Sequence, residues 1–262
     1  MRSRYRSMGL ECPAFRYPGG KAKISAKCLR LLEPRDTFVD VFGGRGNVIF
    51  RAMYDGFSAR NWWINDFATA KFFLAVRDLD IQLLEGLFIT KEFVQALRNT
   101  DKEDPLRVVL EPCLTFSGKG WHAGFFTKNL GKSLSSGYVR RLLAAKIMLQ
   151  RVKITDIDSF SLLESLDQSY CVFLDPPYVG CNPGAYDTNF DYMRLAKILR
   201  RAKFSWVLTE YAEHLYTPLL GQPALRLDVY RTMESSVSLT RKIRTECVWT
   251  NNPRIARCNS LD

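Results

Sequence analysis

The chain of 262 residues has only two histidines, and its seven cysteines, at positions 12, 28, 113, 171, 181, 247 and 258, form no Cys-x-x-Cys pair. Zinc sites and disulfide frameworks need clustered ligands, so neither is expected, and reduced thiols in the cytoplasm are the default. There is no run of about 18 apolar residues. The basic start Arg2-Ser3-Arg4-Tyr5-Arg6-Ser7 has no apolar segment after it. A protein that is neither exported nor membrane-spanning is expected, with the arginine-rich arm read as a disordered terminus or as a source of phosphate contacts. Linkers, internal repeats and low-complexity tracts are also lacking, which leaves one core plus a small subdomain.

Acidic residues are sparse in one place. From Pro112 to Arg151 there are seven basic residues, Lys119, Lys128, Lys132, Arg140, Arg141, Lys146 and Arg151, and no Asp or Glu. The whole chain carries +11, which favours a polyanion or an anionic surface over a small neutral substrate. Within the acid-free stretch, Ser117-Gly118-Lys119-Gly120-Trp121-His122-Ala123-Gly124-Phe125-Phe126 combines glycines with aromatics, a composition that can track phosphates and set rings against bases. The other reading is a helix pair with solvated lysines and buried phenylalanines.

What is present is sharper. Cys171-Val172-Phe173-Leu174 reads as a buried strand and runs into Asp175-Pro176-Pro177-Tyr178. In parallel α/β sheets ligands bind at the carboxyl ends of strands. An ionised Asp175 and the Pro176 carbonyl are both acceptors, suited to an amine with two hydrogens, and Tyr178 offers a flat ring for stacking. The alternative is a strand-ending turn.

Upstream, Thr37 to Phe42 is β-rich and ends in Gly43-Gly44-Arg45-Gly46, after which Asn47 to Tyr54 has helical spacing. A strand, a glycine turn and a helix start form a place where backbone N-H groups meet a ligand. A nicotinamide dinucleotide is one candidate, but its third fingerprint glycine would fall at Ile49. Trp62-Trp63-Ile64 then leads to Asp66, 20 residues after Gly46, placed either to clamp ribose hydroxyls or to cap the helix that follows.

These residues resemble the Dam-type adenine-specific DNA methyltransferases. The likeness covers most of the chain: Tyr17-Pro18-Gly19-Gly20-Lys21 matches the family's aromatic-x-Gly-Gly-Lys segment, Phe42-Gly43-Gly44-Arg45-Gly46 its Phe-x-Gly-x-Gly turn, Asp66 its second-strand acid, and Asp175-Pro176-Pro177-Tyr178 its catalytic tetrapeptide. Asp158, 17 residues before Asp175, stands where the family places the carboxylate for the cofactor's adenine amine, although Asp156 is near and either could cap a helix from Ser159.

The resemblance implies a class I methyltransferase, Rossmann-like α/β fold, a mixed, mostly parallel sheet with helices on both faces. It implies one domain over residues 1–262 with a target-recognition insert at about 80–150. Strands are expected near 37–42, 61–65, 152–155, 170–174, 204–209, 225–230 and 245–250, and helices near 68–78, 91–99, 138–150 and 191–201. It further implies S-adenosylmethionine as cofactor, double-stranded DNA as partner, and contacts from Lys119, Trp121, His122, Lys128, Lys132, Arg140 and Arg141. The protein is expected to act as a monomer without metal or membrane, extruding its target adenine for methylation at N6. Cytosine, RNA or a protein glutamine remain as other substrates, and a catalytically silent DNA-binding protein is a different class of reading.

Overall fold

The computed structural model describes residues 4–118, 120–179, 190–211, 213–230 and 243–253. Lys119 therefore lies outside the described residues, as do Arg2, Cys181 and Cys258. The protein is α/β, with a mostly parallel seven-stranded mixed sheet. Among the described residues the strands are β1 (Thr37–Asp40), β2 (Asn61–Asn65), β3 (Phe88–Ile89), β4 (Lys132–Ser133), β5 (Val152–Thr155), β6 (Tyr170–Leu174), β7 (Ser205–Glu210), β8 (Leu225–Tyr230) and β9 (Ile243–Thr250). Every expected strand is present. β1 ends two residues early, at Asp40, and β9 begins two residues before the expected position.

The chain divides into two compact units. The first takes Met1–Ala26, Gly43–Phe57 and Asn61–Asp156, so the expected insert at 80–150 falls wholly inside it. Here β2 and β5 pair in parallel with Asn65 opposite Thr155. That register is reinforced by side chains: the Thr155 hydroxyl donates to Asn65 Oδ1 at 2.8 Å and accepts from Trp63 Nε1 at 2.8 Å. Helices Asn47–Asp55, Ala70–Asp78 and Ser136–Leu149 supply a core in which Phe15, Phe50, Phe72 and Phe73 meet edge to face. Such pairs add roughly 0.5–1.5 kcal/mol each beyond their burial.

The acid-free stretch does not form a simple helix pair. Pro112 sits inside helix Pro105–Leu114, which Asp104 caps through the Arg107 N-H at 2.9 Å. Proline cannot donate within a helix, and one turn earlier the Val109 carbonyl accepts from the buried Tyr138 hydroxyl at 2.5 Å. Short 3₁₀ turns at Phe116–Gly118, Trp121–Ala123 and Thr127–Asn129 follow, and β3 and β4 form a separate antiparallel ribbon.

The second unit takes Lys27–Phe42, Ser58–Arg60 and Ile157–Asp262. Its strands run in the order β1, β6, β7, β9, β8, with β1, β6 and β7 parallel and β9 antiparallel to both neighbours. β6 and β7 are buried along almost their whole length, which is why Cys171 to Leu174 reads as a continuous apolar run rather than an alternation. All three parallel strands end on one edge, where Asp40, Asp175 and Glu210 stand.

Candidate functional site

The first unit builds a glycine turn clamped on both sides. The Gly44 N-H donates to Asp66 Oδ2 at 2.9 Å, and the Gly44 carbonyl accepts from the buried Thr69 hydroxyl. Gly44 has φ 53°, and a Cβ there would lie 2.9 Å from the Tyr17 ring, so Tyr17 packs on the turn and excludes any larger residue. A Cβ on Gly43 would fall 2.4 Å from Ile64. Gly46, at φ 75°, opens helix Asn47–Asp55.

Tyr17, Gly19, Gly20 and Lys21 form a tight turn in which the Gly20 N-H donates to the Tyr17 carbonyl at 3.1 Å. Lys21 is 6% exposed, and its Nζ donates to the Gly19 carbonyl at 2.7 Å. The segment before it is held to the turn's helix by Asn47, whose amide bonds both the Phe15 N-H (3.1 Å) and the Phe15 carbonyl (3.2 Å). The sequence marks Asn47 only as a helix start, because a polar residue there carries no pattern that distinguishes this bridging role. The structure thus gathers Tyr17, Gly20, Gly43, Gly44 and Asp66 around one turn.

Asp66 does more local work than a ribose clamp requires. Its Oδ1 accepts from the Ala68 and Thr69 N-H groups at 2.9 and 2.8 Å, in addition to the Gly44 bond at Oδ2. A carboxylate offers about four acceptor sites. Three are engaged, which leaves capacity for one further donor rather than the two ribose hydroxyls first expected. Phe67 beside it is 88% exposed at the end of β2. Asp158 is exposed and caps helix Ser159–Glu164 through the Ser161 N-H and hydroxyl, both at 2.9 Å. The backbone N-H and then the hydroxyl of Ser161 hold its carboxyl below the usual carboxylate range.

The second unit builds the acceptor end. Asp175 lies just past β6, and its Oδ1 accepts from the Thr209 hydroxyl at 3.0 Å, a group that also reaches the Leu174 carbonyl at 3.3 Å. Thr209 is fully buried in β7 and anchors the carboxylate against the strand end. Pro176 is buried and Pro177 half-buried. Phe42, half-buried after β1, meets Phe190 edge to face at 5.6 Å.

Tyr178 departs from the open stacking platform expected of it. It is 8% exposed, its hydroxyl donates to the buried Glu246, and its ring stands edge to face with Tyr211 at 4.5 Å and 87°. Burial, with the Asp175 and Glu246 carboxylates adding to it, pushes its phenol well above the ordinary tyrosine value, so the proton stays on the tyrosine. Thr209, Glu246 and Tyr211 were not legible in advance, since each comes from a strand or strand end distant in sequence.

Of the residues expected to meet DNA, Lys128, Lys132, Arg140 and His122 are exposed. Arg140 already pairs with Glu11 at 3.0 Å, and Arg141 is half-buried with its guanidinium 5.9 Å from the centre of the Tyr138 ring. Trp121 departs from expectation: it is 7% exposed and turned inward, with Arg107 over its ring at 5.9 Å. Phe116, 46% exposed, packs on Phe126 at 4.5 Å instead. Among the described residues no group of three or more His, Cys, Asp or Glu could hold a metal ion, and no helix is long and apolar enough to cross a membrane.

No protein-family model matches the chain, and none of the curated proteins compared with it matches either. The functional reading therefore rests on the site's own chemistry and on the sequence resemblance.

Proposed function

We propose that the protein transfers a methyl group from S-adenosylmethionine to the exocyclic amine of adenine in DNA. The observation that carries this is the placement of Asp175 at the carboxyl edge of β6, beside Pro176 and fixed by Thr209. A delocalised amine is a poor nucleophile, and it reacts when two acceptors each take one N-H and direct the lone pair outward. The Asp175 carboxylate and the Pro176 carbonyl are such a pair, and Asp175 also stabilises the positive charge that grows on nitrogen. Thr209 fixes the carboxylate's orientation, so little rearrangement is needed at the moment of reaction. Buried Asp40 and Glu210 end β1 and β7 on the same edge.

The residues of the glycine turn fit the cofactor in a specific sense. Asp66, fixed by the Gly44 N-H, keeps one acceptor site for a ribose hydroxyl. Exposed Phe67 gives a face for a ring. When bound, S-adenosylmethionine supplies an electrophilic methyl on sulfonium. In a duplex the target base must be extruded at a cost of a few kcal/mol. With Tyr178 buried, that cost is not offset by an open tyrosine face in this conformation.

The non-catalytic reading has one observation in its favour: Asp66 and Asp158 are both engaged in local capping. Incubation of the purified protein with DNA and labelled S-adenosylmethionine, followed by sequencing of methylated adenines, separates the two. Methyl groups at adenine in a defined sequence are expected. Tight DNA binding without incorporation would establish the silent module.

A further inference from the structure

A basic pocket of about 440 Å³ opens within the first unit, beside the arginine of the glycine turn. Four cations, Arg45, Lys71, Lys102 and Arg107, line it against one carboxylate, Glu111. Glu111 is already matched by Arg45, whose Nη2 sits 2.5 Å from it. Lys71, Lys102 and Arg107 form no ion pair among the described residues, so their charge is unbalanced there. All four cations lie outside the acid-free stretch that the composition singles out, so no charge count along the chain would find the pocket.

A second observation points to a ligand. Arg45 and Trp121 are 5% and 7% exposed, and Arg45 Nε and Trp121 Nε1 are buried with no hydrogen-bond partner among the described residues. Both residues line the pocket. The two N-H groups belong to residues of one cationic lining, and unmatched cations there suit an acceptor-rich anion. Phosphate answers that demand better than carboxylate, because it accepts from several directions at once and matches both a guanidinium fork and lysine point charges. The volume also exceeds what a bare phosphate fills, leaving space for an attached sugar.

We propose that this pocket binds a phosphoester, carried either by a nucleic-acid backbone or by a free nucleotide. The first source rests on the DNA reading above, and the second does not. Arg107 is held in place by donating to the Thr100 carbonyl, and Lys71 Nζ lies 3.4 Å from the Lys102 carbonyl, so the cations are positioned before any ligand arrives.

The test uses the full chain without methyl donor. Thymidine 5′-monophosphate, which carries no adenine, is titrated by calorimetry, and a fluorescent duplex is followed by anisotropy across a salt series. For whichever source is used, Lys71→Ala combined with Arg107→Ala is expected to weaken binding about tenfold or more. With duplex DNA the double variant should also flatten the plot of log affinity against log salt by about 2 units, at roughly 0.9 per phosphate contact. Binding of both ligands within about twofold of wild type by a double variant with unchanged circular dichroism and melting temperature would overturn the proposal. So would failure of the wild-type protein to bind either ligand. Adenine methylation that persists in such an unaffected variant would leave the methyl-transfer reading standing alone, whereas ligand binding lost in the variant without any methylation would leave the pocket standing alone.

Discussion

Replacing Asp175 by alanine should abolish measurable methyl transfer, a loss of at least about a hundredfold to a thousandfold, with cofactor affinity near wild type. Single-turnover methylation and calorimetry with S-adenosylmethionine check both halves, and retention of more than about a tenth of the rate would remove Asp175 from the acceptor role. Thr209→Val tests its anchor: the Asp175 bond at 3.0 Å is lost while the shape is kept, so the rate should fall with little change in cofactor binding. At Asp158 two roles are separable. Serine also caps a helix, so Asp158→Ser should keep the melting temperature, whereas Asp158→Ala should lose about 0.5–2 kcal/mol. A drop in cofactor affinity in the stable serine variant would assign Asp158 a binding role beyond the cap. Because the folded carboxyl titrates below its ordinary value, the cap's contribution is present above the unfolded value of 3.8 and fades as pH falls through the folded one.

At the scale of elements, the glycine turn is the most constrained segment. Gly44→Ala adds a methyl 2.9 Å from the Tyr17 ring at φ 53°. A left-handed alanine costs about 1–2 kcal/mol before the clash is counted. The variant should therefore be less stable in urea denaturation and weaker for S-adenosylmethionine. The strand and helix pattern was largely legible, because β-rich apolar runs such as 170–174 and the helical spacing of 191–201 carry their period in the sequence. Helix Pro105–Leu114 was not, since Pro112 interrupts its pattern and the bond from Tyr138 to Val109 comes from another helix. Trp121 misled for a related reason. A loop with glycines and aromatics looks like a surface probe until its neighbours bury it.

For the molecule as a whole, two dependences on solution conditions follow. Lys128 and Lys132 are exposed, while Arg140 is paired and Arg141 half-buried, so removing the two lysines should account for most of this stretch's salt dependence. Lys128→Ala with Lys132→Ala is expected to flatten the DNA salt slope by about 2 units. An unchanged slope would place the phosphate contacts elsewhere. Alkaline stability depends on groups that burial holds above their ordinary values: the thiols of Cys12, Cys113, Cys171 and Cys247 and the phenols of Tyr138, Tyr178 and Tyr216. The unfolded chain releases the thiol protons near pH 9 and the phenol protons near pH 10 while the folded one holds them, so stability is full below about pH 9 and falls as pH rises further. Tyr178→Phe should soften that fall in a series of melts from pH 8 to 11, while itself costing about 1–3 kcal/mol because Glu246 loses a buried partner.

Local sequence alone determined the α/β class, the strand ends that carry Asp66 and Asp175, and the glycine turn. Period, apolar runs and φ tolerance are properties of neighbouring residues, and they survive without tertiary context. Only the tertiary structure decided which polar groups were already spoken for. Asp66 is shared with Gly44, Ala68 and Thr69, Asp175 is held by Thr209, and Tyr178 is turned into the fold against Glu246 and Tyr211. The pocket of Arg45, Lys71, Lys102 and Arg107 likewise exists only once residues far apart in the chain are folded together. Hydrogen bonds and burial join groups by distance in space, and a one-dimensional pattern does not record that distance.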